Sequence, residues 1–294
     1  MRFGDERESS NFVDDTGRGD LGLGGGGNAL GCLIPLVLSR FGFGGVAILL
    51  IGYFILSSIG GLGGGGGVAP SNQQIGASSE ASRLDPATKR FTLQVLASTE
   101  DTWTKLLQPR GISYMPTTLT FYSEYDQSGC GAAQSAMGPF YCPDDRRIYL
   151  DTEFFSELSR RFQAPGDFAK AYVIAHEVGH HVQDLEGTLD KAHALQARAS
   201  RTQGNAIQVR VELQADCYAG VWAANAKNPE GQSVMEPGDF EEGMRAAEAI
   251  GDDTLQRQTQ GQVVPDSFTH GTSAQRMAAL RRGYASGDPE DCKF

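Results

Sequence analysis

Between Asp167 and Gly187 the apolar residues Phe168, Ala171, Ala175, Val178, Val182 and Leu185 recur at intervals of three and four. This 3-4-3-4-3 spacing lines one face of a helix. Pro165-Gly166-Asp167 is a start signal for that helix and Gly187 a stop. A second stripe, Ile207, Val211, Ala215, Tyr218 and Trp222, predicts a helix over about residues 203–226. Asp85-Pro86 opens an earlier helical pattern that runs through Phe91, Val95 and Trp103 and stops near Pro109. Leu119–Tyr122 and Ile148–Leu150 read as short strands. A further helical pattern follows Asp239, and a last helix starts near Ser273. No internal repeat is evident. These elements make an α+β domain, rich in helix, with a small sheet.

The N-terminal part follows other rules. Residues 1–20 are polar and of mixed charge, a composition that buries no core, so residues 1–40 are expected to form a disordered tail. Phe41 to Leu62, FGFGGVAILLIGYFILSSIGGL, carries no charge and has the length of one transmembrane helix. A cleaved signal peptide fits poorly, because about 40 residues precede the apolar run. Arg2, Arg7, Arg18 and Arg40 stand before this run, and no basic residue follows until Arg83. The positive-inside rule therefore puts the tail in the cytoplasm and the rest of the chain outside. Residues 63–83 read as a Gly/Ser-rich tether, and residues 84–294 as the folded domain.

Charge and cysteines refine this picture. With 36 acidic against 25 basic residues, the net charge is -11, which argues against nucleic acid as a partner. The nearest basic cluster, Arg276, Arg281 and Arg282, reads as a solvated helix face. Of five cysteines, Cys32 precedes the apolar run. The other four suit two disulfides in an exported domain, and the short loop favours Cys130–Cys142, leaving Cys217–Cys292.

The chemistry sits on the helix at 167–187. Ala175-His176-Glu177-Val178-Gly179-His180 contains H-E-x-x-H. Residues four apart share a helix face, so both imidazoles can meet one metal ion. Glu177 is rotated by about 100° and can stand beside the ion without ligating it. Imidazole suits zinc, three protein ligands leave a place for water, and a neighbouring carboxylate can take that water's proton. His181 points away and reads as a packing residue. Candidates for the third ligand are His193, Glu212, Asp216 and His270. Glu212 fits best, since it borders its helix's apolar stripe as the histidines border theirs. Asp216, one turn on, suits a carboxylate that orients a ligating histidine. His193 lies in a polar helical stretch and reads as surface. His270, ahead of the last helix, suits either an oxyanion-stabilising role or a structural one, and Arg276 is a candidate partner for a site carboxylate.

The combination of AHEVGHHVQ, ELQADCYAG and HGTSAQR, with GPFYCPDDRRIYLD upstream, resembles the neutral zinc metallopeptidase family of bacterial membrane proteins. The opening MRF, the SSN segment and the Gly-rich run ahead of one span share in that resemblance, which covers nearly the whole chain. H-E-x-x-H with a downstream E-x-x-x-D is also similar to the gluzincin group. The resemblance implies a zincin-like domain with one zinc ion on His176, His180 and Glu212, a general base at Glu177 and an orienting carboxylate at Asp216. It also implies a peptide or protein substrate and a place in the bacterial inner membrane, the domain being extracytoplasmic. By analogy with zincins, Ile148–Asp151 is expected to be an edge strand to which a substrate adds. Two rival classes are a zinc-binding membrane scaffold without turnover and a zinc amidase acting on cell-wall material.

Overall fold

The computed structural model describes residues 1–18, 84–134, 138–160 and 166–294. Four strands form the main sheet: β1 (Phe12–Asp14), β2 (Thr118–Tyr122), β5 (Phe140–Cys142) and β6 (Arg147–Asp151), in the order β1-β2-β6-β5. β1 and β6 both run parallel to β2, and β5 pairs antiparallel with β6. Between β2 and β5 lies a separate hairpin of β3 (Tyr125–Ser128) and β4 (Gly131–Gln134). Four of five residues are buried in each of β2 and β6, as befits inner strands covered on both faces. The expectation of an edge strand at Ile148–Asp151 is therefore corrected. β6 is flanked by β2 and β5, and β5 takes the edge. The short β5 gave no alternation long enough to read.

The helices are α1 (Pro86–Leu107), α2 (Phe154–Arg160), α3 (Asp167–Leu185), α4 (Thr188–Gln196), α5 (Arg201–Asn225), α6 (Asp239–Ala249), α7 (Asp252–Gln260) and α8 (Ser273–Ser286). Their ends follow local chemistry. Asp85 caps α1 by accepting from the Thr88 amide at 2.8 Å, with Pro86 in the first turn. α5 and α8 each open on a capping box, Ser200 with Gln203 and Thr272 with Gln275. The core forms where α1, α3, α5 and the sheet meet, around Leu96, Trp103, Phe121, Tyr172, Tyr218 and Trp222. α5 and α8 cross through Gly220 and Gly283. A Cβ on Gly283 would lie 1.8 Å from the Cys217 carbonyl oxygen, so only hydrogen fits there. The same crossing is tied by Cys217–Cys292, while Cys130–Cys142 joins the start of β4 to β5.

Residues 1–18 are not a disordered tail. Phe3 is buried and packs edge-on against Phe91, ring centroids 5.8 Å apart. The Arg2 amide donates to the Val234 carbonyl, and Ser9 donates its amide to Leu93 and its hydroxyl to Glu100. Arg2 pairs with Glu236, Arg7 with Asp101 and Lys89 with Asp14. Average composition hid this, because the few apolar residues (Phe3, Phe12, Val13) are enough when Arg2, Arg7, Ser9 and Asp14 each have a partner on the domain. The expected span at 41–62 and tether at 63–83 lie outside the described residues. Among the described residues no helix is long and apolar enough to cross a membrane.

Candidate metal centre

α3 and α5 bring the sequence-selected residues together. His176 and His180 lie one turn apart on α3, and Glu212 faces them from α5. Gly179 permits the approach: a Cβ there would meet Ala215 on α5, its carbonyl oxygen at 3.0 Å and its Cα at 3.1 Å. One donor atom from each of His176, His180 and Glu212 falls within 4.8 Å of the others. Glu212 Oε2 lies 3.2 Å from His176 Nε2 and 3.5 Å from His180 Nε2. Two imidazole nitrogens and one carboxylate oxygen are a donor set that suits zinc.

Each donor is held from behind. Asp216 Oδ1 is 2.8 Å from His176 Nδ1, Gln183 Oε1 is 2.9 Å from His180 Nδ1, and Gln208 Nε2 donates to Glu212 Oε1 at 2.9 Å. Both histidines therefore turn Nε2 toward Glu212. Gln183 is fixed in turn by donating to the Val211 carbonyl and the Gln214 side chain. Such partners set the tautomer and direction of a ligating imidazole.

Asp216 is fully buried and carries most of this order. Its Oδ1 accepts from the Tyr172 hydroxyl at 2.5 Å and from Arg276 Nη2 at 2.9 Å, and its Oδ2 from Arg276 Nε at 2.9 Å. Burial alone would raise the Asp216 pKa. Arg276 and then His176 override it and hold the carboxyl below the usual carboxylate range. Burial would likewise lower the pKa of His176, but Asp216 and Glu212 push it up to about 10. Glu212 is held well below its ordinary value, against the effect of burial, by the two histidines.

The group lies in the wall of a cleft of about 810 Å³. Glu177, 7% exposed, lines the same cleft outside the three-residue group. His270 reaches the cleft from the loop before α8. Asp252, at the start of α7, pins that loop. Its Oδ2 accepts from the amides of Thr269, His270 and Gly271 at 2.7, 2.7 and 3.0 Å, and its Oδ1 is 3.4 Å from His270 Nδ1. His181 is no part of the cluster. It is buried between the Met115 carbonyl and the Tyr141 hydroxyl, bracing β5 against α3, and burial lowers its pKa. His193 is exposed, as its polar stretch implied, and it also lines the cleft, because α4 turns back beside α3. One expectation needs correction. Arg276 belongs to the buried network and not to a solvated face, while Arg281 and Arg282 are exposed. Tyr172, Gln183 and Gln208 were missed, though each stands three or four residues from a donor on the same helix, the spacing that puts side chains together.

Two histidines one turn apart and a carboxylate from a crossing helix, with a glutamate beside them at a cleft, make a group that could hold a metal ion. Over residues 1–294 the chain matches the family described as "Putative neutral zinc metallopeptidase", and it belongs to that family. Among its relatives is a protein of Escherichia coli strain K12 named "Uncharacterized protein YpfJ". It is 45% identical over 297 residues, covering 99% of this chain and 98% of that one. Another, "Uncharacterized protein Rv2575" of Mycobacterium tuberculosis strain H37Rv, is 42% identical over 203 residues, 66% of each chain. No solved structure matches the chain.

Proposed function

We propose that this protein is a membrane-attached, zinc-dependent endopeptidase working on the extracytoplasmic side of a bacterial cytoplasmic membrane. The observation that carries the reading is Glu177, a carboxylate in the cleft wall beside three donor residues and not one of them. A structural zinc site is usually closed by four protein ligands, whereas three leave a place for a reacting molecule.

His176, His180 and Glu212 would hold the ion. Zinc, when bound, supplies a Lewis acid that brings the pKa of water to about 7 and polarises a carbonyl. Glu177 takes the proton of the attacking water and later passes it to the leaving nitrogen. Asp216 and Gln183 keep both imidazoles in the ligating tautomer. His270, steadied by Asp252, donates a hydrogen bond to the oxygen that gains charge in the tetrahedral intermediate. An extended peptide is accepted along β5, whose Phe140 and Tyr141 line the cleft. The two disulfides support an oxidising compartment, and Phe41 to Leu62 supplies the membrane attachment.

The test is digestion of a mixed peptide library by the zinc-loaded full chain, with new peptide ends read by mass spectrometry. Two further outcomes are expected. Chelation should lower Tm by roughly 5–10 °C and zinc should restore it. A ligand at a hundred times its Kd adds about 2.7 kcal/mol, and each kcal/mol moves a domain of this size by about 2–4 °C. An unchanged Tm, with no zinc in the purified protein, would remove the metal from the reading. His270→Ala should lower kcat by about 10²–10³ with little change in KM, the signature of a lost oxyanion donor. An unaltered kcat would return His270 to a structural role.

A further inference from the structure

We propose that residues 1–18 lie on the same side of the membrane as residues 84–294. The inference rests on membrane attachment and is independent of the peptidase reading.

β1 is the first observation. Phe12, Val13 and Asp14 pair in register with Leu119, Thr120 and Phe121. Paired strands stand about 4.8 Å apart. The hydrocarbon core of a bilayer is about 30 Å thick. A strand on one side cannot hydrogen-bond to a sheet on the other. β1 is also not a lone contact. Residues 2–14 touch the domain along α1, through Phe3 with Phe91, Ser9 with Glu100 and Asp14 with Lys89. They also reach the loop before α6, through Arg2 with Val234 and Glu236. Ser9 and Thr16 are almost fully buried. An attachment spread over separate elements is part of the fold.

The second observation concerns charge. Orientation by the positive-inside rule counts lysine and arginine left near the membrane on the cytoplasmic side. Two of the four arginines ahead of the apolar run, Arg2 and Arg7, are committed elsewhere. Arg2 pairs with Glu236 at 2.8 Å, and Arg7 with Asp101 at 2.7 Å and Glu100 at 3.0 Å. Folding draws them to the acidic surface of the domain, so they do not mark a cytoplasmic end. The domain holds two disulfides, which places residues 1–18 outside the cytoplasm with it.

The test uses the full chain in bacterial cells on a Cys32→Ser background, in which the remaining cysteines are paired. Single cysteines are placed at Asp5 and at Glu8, both exposed, and at Arg257, exposed on the domain. Intact spheroplasts are treated with a membrane-impermeant maleimide before and after permeabilisation. The expected result is that Asp5→Cys, Glu8→Cys and Arg257→Cys all label in intact spheroplasts, and permeabilisation adds nothing. Labelling of Arg257→Cys in intact spheroplasts, with Asp5→Cys and Glu8→Cys reacting only after permeabilisation, would overturn the proposal. If all three react only after permeabilisation, the shared side stands and the extracytoplasmic placement falls.

Discussion

Glu177→Gln is expected to lower kcat on peptides by about 10²–10⁴ while zinc stays bound. At about 1.36 kcal/mol per decade, that is roughly 3–5 kcal/mol of transition-state stabilisation. The substitution keeps the size and shape of the side chain and removes its ability to accept a proton. Glu177 is not among the three donors, so metal content should match the wild type. It stands in the cleft wall and its side chain makes no hydrogen bond or ion pair with another described residue, so Tm should also hold. Loss of turnover with zinc and fold intact is the outcome that isolates a base. A variant that still cleaves at the wild-type rate would rule Glu177 out. A zinc-replete wild type that cleaves no peptide would return the protein to a scaffold, and activity on cell-wall fragments alone would make it an amidase.

The second large effect is on stability. Asp216→Ala should cost about 3–5 kcal/mol, because it leaves the buried Arg276 guanidinium without its carboxylate. For a domain of this size that is a fall in Tm of roughly 6–20 °C. It also frees His176 Nδ1, so zinc should bind about 10–100-fold more weakly. Replacing both partners, Asp216→Leu with Arg276→Met, should cost less than Asp216→Ala alone, since no charge is then stranded. A double variant as unstable as the sum of the single ones would mean that the pair is not coupled. The pH profile gives an independent check. The folded pKa of Asp216 is depressed, so its contribution is fully present above its unfolded value, near 3.8. That contribution is lost as pH falls below this value, and denaturant midpoints should decline there more steeply in wild type than in the double variant.

The site was more legible than the sheet. His176, His180, Glu212 and Asp216 all stand on long helices, where a fixed 3.6-residue period converts spacing into direction. The starts of α1, α3 and α8 were legible for the same reason, with Asp85-Pro86, Gly166-Asp167 and Thr272-Ser273 as punctuation. β1 and β5 have three residues each, too few to show a period of two, and β1 pairs with a strand a hundred residues away. No local signal announces such a pairing. Arg276 is the partner of a site carboxylate, one of its two readings, and not part of a solvated face with Arg281 and Arg282, because a cluster in sequence spreads around a helix. Arg276 turns inward to Asp216 while the other two face solvent. His193 sits in polar sequence because one side of α4 faces water. Only the turn at Gly187, which folds α4 back beside α3, brings that polar side to the cleft.

The place of β1 also decides where the chain can be shortened. Starting it at Leu84 would strip a strand from the sheet and bare the edge of β2, an invitation to aggregation. Phe91 would lose Phe3, and Glu100 would lose Ser9, Asn11 and Arg7. The apolar stretch is an insert within the domain's sequence and not a leader ahead of it. Asp14 and Lys89 touch at 2.9 Å, so the segments that lead to the two cut ends are already held to one another by that ion pair. Excising residues 19–83 and sealing the gap with a short bridge of glycines and serines would keep every described strand and remove the apolar stretch.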